Sequence, residues 1–164
     1  MHRVRRTQSG ASAVEFALVS SVLFLLLFGI IQYGLFFNDS LNTRQGVREA
    51  ARQGIVQMPT TTCGAAGITW TKLACFTKDQ IGAVTGDTHV HFLIPDSGGW
   101  KKPNKLLVCA KVQSDGALGI LPMPNGGVIT SKTAMSIEQD SAPPAGSPPN
   151  SETDFSGKNW SWCS

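Results

Sequence analysis

The 164-residue chain has room for one modest domain beside a membrane segment, and a net charge of +3 without an aromatic-basic motif excludes a typical nucleic-acid binder. Charged residues make up only 15%, against roughly a quarter in an ordinary soluble domain. The shortfall has one location, since residues 16–31 carry no charge at all.

The chain opens on a basic stretch, MHRVRRTQSG, and continues as ASAVEFALVSSVLFLLLFGIIQYGLFF. Residues 11–37 hold Glu15 as their only charge and exceed the about 20 residues a helix needs to span a hydrocarbon core. Arg3, Arg5 and Arg6 precede the segment, so the positive-inside rule keeps that end in the cytoplasm and places the remainder outside. A cleaved secretory signal has a shorter apolar region with small residues after it. Here the small residues Ser9 to Ala13 come first, and residues 33–39 (YGLFFND) offer no cleavage site of that kind. An acid at the centre of a membrane helix costs about 2.5–3.5 kcal/mol, a cost that snorkelling or protonation reduces near the helix end, where Glu15 stands. Ala11, Ser12, Ala13 and Ala17 allow close approach of another helix, and Gly29 and Gly34 do the same or permit bending.

The helix is predicted to continue to about Ile55, with Leu41, Val47, Ala51 and Ile55 as a loose apolar stripe. Arg44, Arg48 and Arg52 recur every four residues and share a face, which Asp39 and Glu49 dilute as a solvated surface. Met58-Pro59 ends the helix. Thr77-Lys78-Asp79-Gln80 fits a capping box opening a short helix through Val84, stopped by Gly86. Three strands are expected: residues 88–94, with Val90, Phe92 and Ile94 on one face; residues 105–112, with Leu106, Val108, Ala110 and Val112; and residues 128–137, with Ile129, Met135 and Ile137. A small antiparallel sheet packed on the helix buries these faces, which makes the fold class α+β. The long loops at 95–104 and 113–127 exceed ordinary hairpins, and the second carries Leu118, Ile120, Leu121 and Met123, to fold back on the sheet or meet a membrane or a sibling subunit. Residues 141–151 (SAPPAGSPPNS) read as a disordered linker, after which Trp160 and Trp162 suggest a docked tail.

Cys63, Cys75, Cys109 and Cys163 all follow the apolar run and form no CxxC pair, which suits an oxidising compartment with two disulfides rather than zinc. Three pairings are open. A short Cys63–Cys75 loop and a Cys109–Cys163 clip holding the aromatic tail is the preferred one. His89 and His91 share a strand face, with Asp87 and Asp96 as the nearby acids, and no metal or other cofactor is expected. Neither a phosphate-binding Gly-rich loop, a G-x-S-x-G elbow nor an HExxH helix is present, so no enzyme is expected.

Gly10-Ala11-Ser12-Ala13-Val14-Glu15-Phe16 resembles the start of type IV prepilins, where a membrane peptidase cuts after glycine. From Gly10 to Ile55 the chain is more specifically similar to TadE-like minor pilins (pseudopilins) of the tight-adherence, or Tad/Flp, pilus system. That family has a G-x-x-x-x-E-F/Y start, a Leu/Phe-rich helix and a segment like A-R-E-G-A-R. The corresponding stretch here is Val47-Arg48-Glu49-Ala50-Ala51-Arg52-Gln53-Gly54, with Ala50 where glycine is common. The resemblance implies cleavage between Gly10 and Ala11, and a salt bridge in assembly between Glu15 and the new amine of a neighbouring subunit. It implies removal of a basic leader at 1–10, and the residues themselves divide the rest into an anchor helix with its extension at 11–57, a head at 58–140 and a clipped tail at 141–164. The implied location is the bacterial inner membrane, single-pass, with the C-terminus periplasmic or in the extracellular pilus. The implied partners are other Tad pilins, the assembly platform and prepilin peptidase. A membrane-tethered accessory or binding module never built into a filament is the alternative.

Overall fold

The computed structural model describes residues 9–57, 63–64, 69–96, 98–114, 119, 121–138, 142–146 and 160–164. One helix, α1 (Ser9–Val56), forms the stalk. Its first half is rich in Leu, Phe, Val and Ala and holds no proline, and Gly29 and Gly34 do not interrupt the helix. A second helix, α2 (Trp70–Ile81), and strands β1 (Gly86–Leu93), β2 (Lys105–Ser114) and β3 (Val128–Ser136) build the head. The strands form one antiparallel sheet in the order β1-β2-β3, with Val90 opposite Ala110 and Val112 opposite Ile129. The Leu118 and Ile120 of the β2–β3 connection, Met58-Pro59, residues 1–8 and much of the 141–151 stretch lie outside the described residues.

Alternation decides what the sheet buries. Val90 and Phe92 of β1, with Leu106, Val108, Ala110 and Val112 of β2, are buried against α1 and α2, joined by Ile129 of β3. A side chain of this size contributes about 1.5–3 kcal/mol when fully buried. The opposite face of β2 is covered as well: Leu107 and Cys109 lie beneath Cys163, with Leu93, Trp160 and Trp162 packed around them. The head therefore has three layers: helices, sheet and C-terminal tail.

The second helix starts earlier than the Thr77 capping signature suggests. Thr69 is its cap, the side chain accepting from the Lys72 amide at 3.2 Å, and Gly82 closes it in the left-handed conformation at φ 48°. Thr77 is buried in mid-helix, its hydroxyl donating to the Leu73 carbonyl at 2.6 Å. Burial of Trp70, Leu73, Ala74, Thr77 and Ile81 at spacings of three and four extends the helix through the threonine and overrides a local capping signal. Gly86 is accordingly not a helix stop but the first residue of β1, where a Cβ would collide with the Gln113 backbone.

The stripe expected on the upper half of α1 also shifts. Val47 and Ala51 are buried, but Leu41 is exposed. The face against the head instead runs through Gly29, Gln32, Phe36, Asp39, Thr43, Val47, Ala50 and Gly54, at steps of three or four. Three of these residues are polar: the head supplies partners for Gln32 and Asp39, while the Thr43 hydroxyl donates to the Asp39 carbonyl of the same helix at 2.6 Å. Ala142 to Gly146, expected to be free linker, are held: the Ala145 carbonyl accepts from the Trp70 amide at 3.3 Å, and the Ala142 carbonyl accepts from the Gln57 side chain.

Candidate functional site

Gly10 and Ala11 lie in the exposed first turns of α1. Glu15 follows Ala11 by one turn, about 6 Å along the axis. Phe16 beside it is 73% exposed, and Leu18, Val19, Val22 and Leu23 are each more than half exposed. Among the described residues no cation pairs with Glu15; an ion pair lies far up the helix between Arg52 and Glu49 at 2.7 Å. A single carboxylate thus stands on an apolar rod that its own head leaves bare. Leu18, Val19, Val22, Leu23 and Leu26 line a shallow apolar groove along that rod. Such a surface is compatible with lipid or with other apolar helices, and a lone acid on it gains most from a partner of opposite charge.

Above Gly29 the rod becomes a clamp. Asp39 is 0% exposed, and its carboxylate accepts from the Val84 amide at 3.0 Å, the Thr85 amide at 3.0 Å and the Thr85 hydroxyl at 2.5 Å. Thr85 also shares a 2.7 Å hydrogen bond with Ser114, so one acid ties the α2–β1 turn and the end of β2 to the stalk. Gln32, 1% exposed, donates to the Leu121 carbonyl at 2.7 Å and accepts from the Leu121 amide at 3.3 Å. Tyr33 donates to the Pro122 carbonyl at 3.0 Å. The sequence reading placed Asp39 on a solvated face and gave Gln32 and Thr43 no role. The signal that finds them is polar residues recurring at the 3–4 spacing of a helix seam, here positions 32, 39 and 43.

Two glycines set how closely the head approaches. A Cβ at Gly46 would lie 2.5 Å from Ile81 Cγ1, and one at Gly54 would lie 2.7 Å from Leu106 Cδ2. Higher up, Arg44, Arg48 and Arg52 are exposed, and the Arg52 guanidinium bonded to Glu49 holds that carboxyl below its usual range.

The four cysteines come together in two bonds. Cys63 joins Cys75 and Cys109 joins Cys163, with Cα separations of 6.1 Å and 5.9 Å. The second bond seats the tail on the sheet, where Trp160 stacks on His91 at 5.2 Å and Lys132 donates to the Trp162 carbonyl at 3.2 Å and to the Ser164 backbone oxygen at 2.9 Å. His91 is thus enclosed by the tail rather than presented on an open strand face. Among the described residues no group of three or more His, Cys, Asp or Glu is arranged to hold a metal.

These features define a class: an apolar helix long enough to cross a membrane, gripped along its upper half by a small disulfide-bonded α+β head. Residues 10–52, a span that nearly coincides with α1, match the family model of TadE-like proteins. No curated protein and no solved structure matches the chain.

Proposed function

We propose that the chain is a minor pilin, or pseudopilin, that takes part in assembling a Tad/Flp-type pilus used in surface adhesion, and that it catalyses no reaction. The reading is carried by the TadE-like match across α1, which includes the one acid on an otherwise bare apolar rod. Prepilin peptidase hydrolyses the amide between Gly10 and Ala11, removing the basic leader and leaving Ala11 with a free amine. The rod holds the subunit in the inner membrane with the head on the periplasmic side. Glu15 and the Ala11 amine of a neighbouring subunit then approach in a bundle of like helices. Each charge alone is costly in lipid, and pairing offsets both desolvation penalties.

The experiment is Glu15→Ala, with Glu15→Gln beside it, followed in membrane and sheared-fibre fractions. Both variants insert into the membrane in wild-type amounts and are lost from the fibres, because neither side chain carries the charge that pairs with an amine. Wild-type recovery of Glu15→Ala in fibres rejects the pairing. Absence of even the unsubstituted protein from fibres favours a tethered accessory module.

A further inference from the structure

The head does not end at the sheet. The β2–β3 connection leaves β2 at Ser114, at the level of Asp39, to which Ser114 is linked through Thr85. Its Leu121 and Pro122 meet the stalk at Gln32 and Tyr33, and Leu121 Cδ1 lies 3.0 Å from where a Gly29 Cβ would be. From Asp39 to Gly29 is about 15 Å along the helix. The connection therefore descends toward the bare rod.

How far it descends is fixed by the rod. The bare stretch from Ala11 to Phe28 rises about 27 Å at ~1.5 Å per residue, close to the about 30 Å of a hydrocarbon core. With Ala11 at the inner boundary of the core, the outer boundary falls near Ile30. With Glu15 at that boundary, it falls near Leu35. Either placement sets Leu121 and Pro122, docked between Gly29 and Tyr33, at the outer boundary or just inside it. The surroundings agree with that depth. Ile30 and Ile31 are exposed on the helix at the same level, and the sequence carries no charge between Asp115 and Lys132. Pro122 and Pro124 are exposed, and Tyr33, an aromatic residue of the kind that collects at membrane–water interfaces, holds the Pro122 carbonyl.

We propose that Leu121–Pro124 form a foot that beds in the outer boundary of the bilayer, its occupant being the lipid at the headgroup–acyl junction. The foot rests on the reading of α1 as a membrane anchor. Gln32 gives it rigidity, because both backbone polar groups of Leu121 are satisfied by one amide side chain and need no water. The bedded foot fixes the depth of the subunit and the tilt of its head before assembly.

The test places a single cysteine-linked fluorophore in the full, disulfide-intact chain at Pro122, at Val22 in the rod, or at Glu138 in the upper head, in phosphatidylcholine vesicles carrying a nitroxide at a shallow or a deep acyl position. Glu138 follows β3, whose end pairs with the Leu106 region at the level of Gly54, far above the rod. The expected result is deep quenching at Val22, shallow quenching at Pro122 severalfold above that at Glu138, and the same shallow quenching at Pro124. Deep quenching at Val22 with Pro122 and Pro124 no more quenched than Glu138 overturns the foot and leaves the anchor standing. No quenching at Val22 overturns the anchor, and the foot with it.

Discussion

Replacing Asp39 with alanine removes the acceptor for the Val84 amide, the Thr85 amide and the Thr85 hydroxyl at once. The hydroxyl retains Ser114, so two backbone donors in a part-buried turn are left without a partner. Each such donor costs about 1–3 kcal/mol, and relief of a buried charge offsets part of the sum, for a net loss of about 3 kcal/mol. In a head of this size a change of about 1 kcal/mol moves the midpoint by roughly 4–8 °C, so the expected fall is on the order of 10–20 °C. The assay is thermal or urea unfolding of the full chain in detergent, followed by tryptophan fluorescence, with amide exchange at Val84 and Thr85 as the local readout. Asn38→Ala, on the exposed neighbouring position, is the control and changes stability by under about 0.5 kcal/mol. An Asp39→Ala midpoint within about 2 °C of the unsubstituted protein, with unchanged exchange at both amides, refutes the clamp.

Two further substitutions check the packing. Gly46→Ala would normally favour a helix by about 1 kcal/mol, but here the new Cβ meets Ile81 and the net effect is a loss of about 1–3 kcal/mol; Gly34→Ala, in open space, is neutral or stabilising, and urea midpoints compare the two. The double variant Cys109→Ser, Cys163→Ser opens a loop with a separation of 54 residues and loses about 4 kcal/mol by the chain-entropy estimate, with Trp160 and Trp162 becoming quenchable by iodide. Non-reducing peptide maps of the unsubstituted protein check both bonds.

What could be read in the sequence was what depends on local periodicity. The apolar run needs only a count of uncharged residues, and the strands needed only alternation, as in Val90, Phe92 and Ile94. The polar seam was hidden because its partners are remote: Asp39 meets a turn 45 residues on, and Gln32 a loop 89 residues on. Seen alone, an aspartate at the end of an apolar helix looks like the place where water begins. Leu41 failed for the same reason, since only the docked head decides which face of a long helix is inside. Thr77 misled because Thr-x-x-Gln also occurs by chance within helices, whereas Thr69, with lysine three residues later, carries half the signature. For the candidate site, Glu15 was legible because an acid beside a run of leucines demands an explanation at once.

The account depends most on that acid having an amine made available by cleavage. Intact-mass and N-terminal analysis of the protein from membrane and sheared-fibre fractions, with and without prepilin peptidase, tests it directly. A chain beginning at Ala11 in both fractions, and retention of Met1 with loss of fibres when the peptidase is absent, is the predicted result. Fibre-borne protein that still carries Arg3, Arg5 and Arg6 contradicts it.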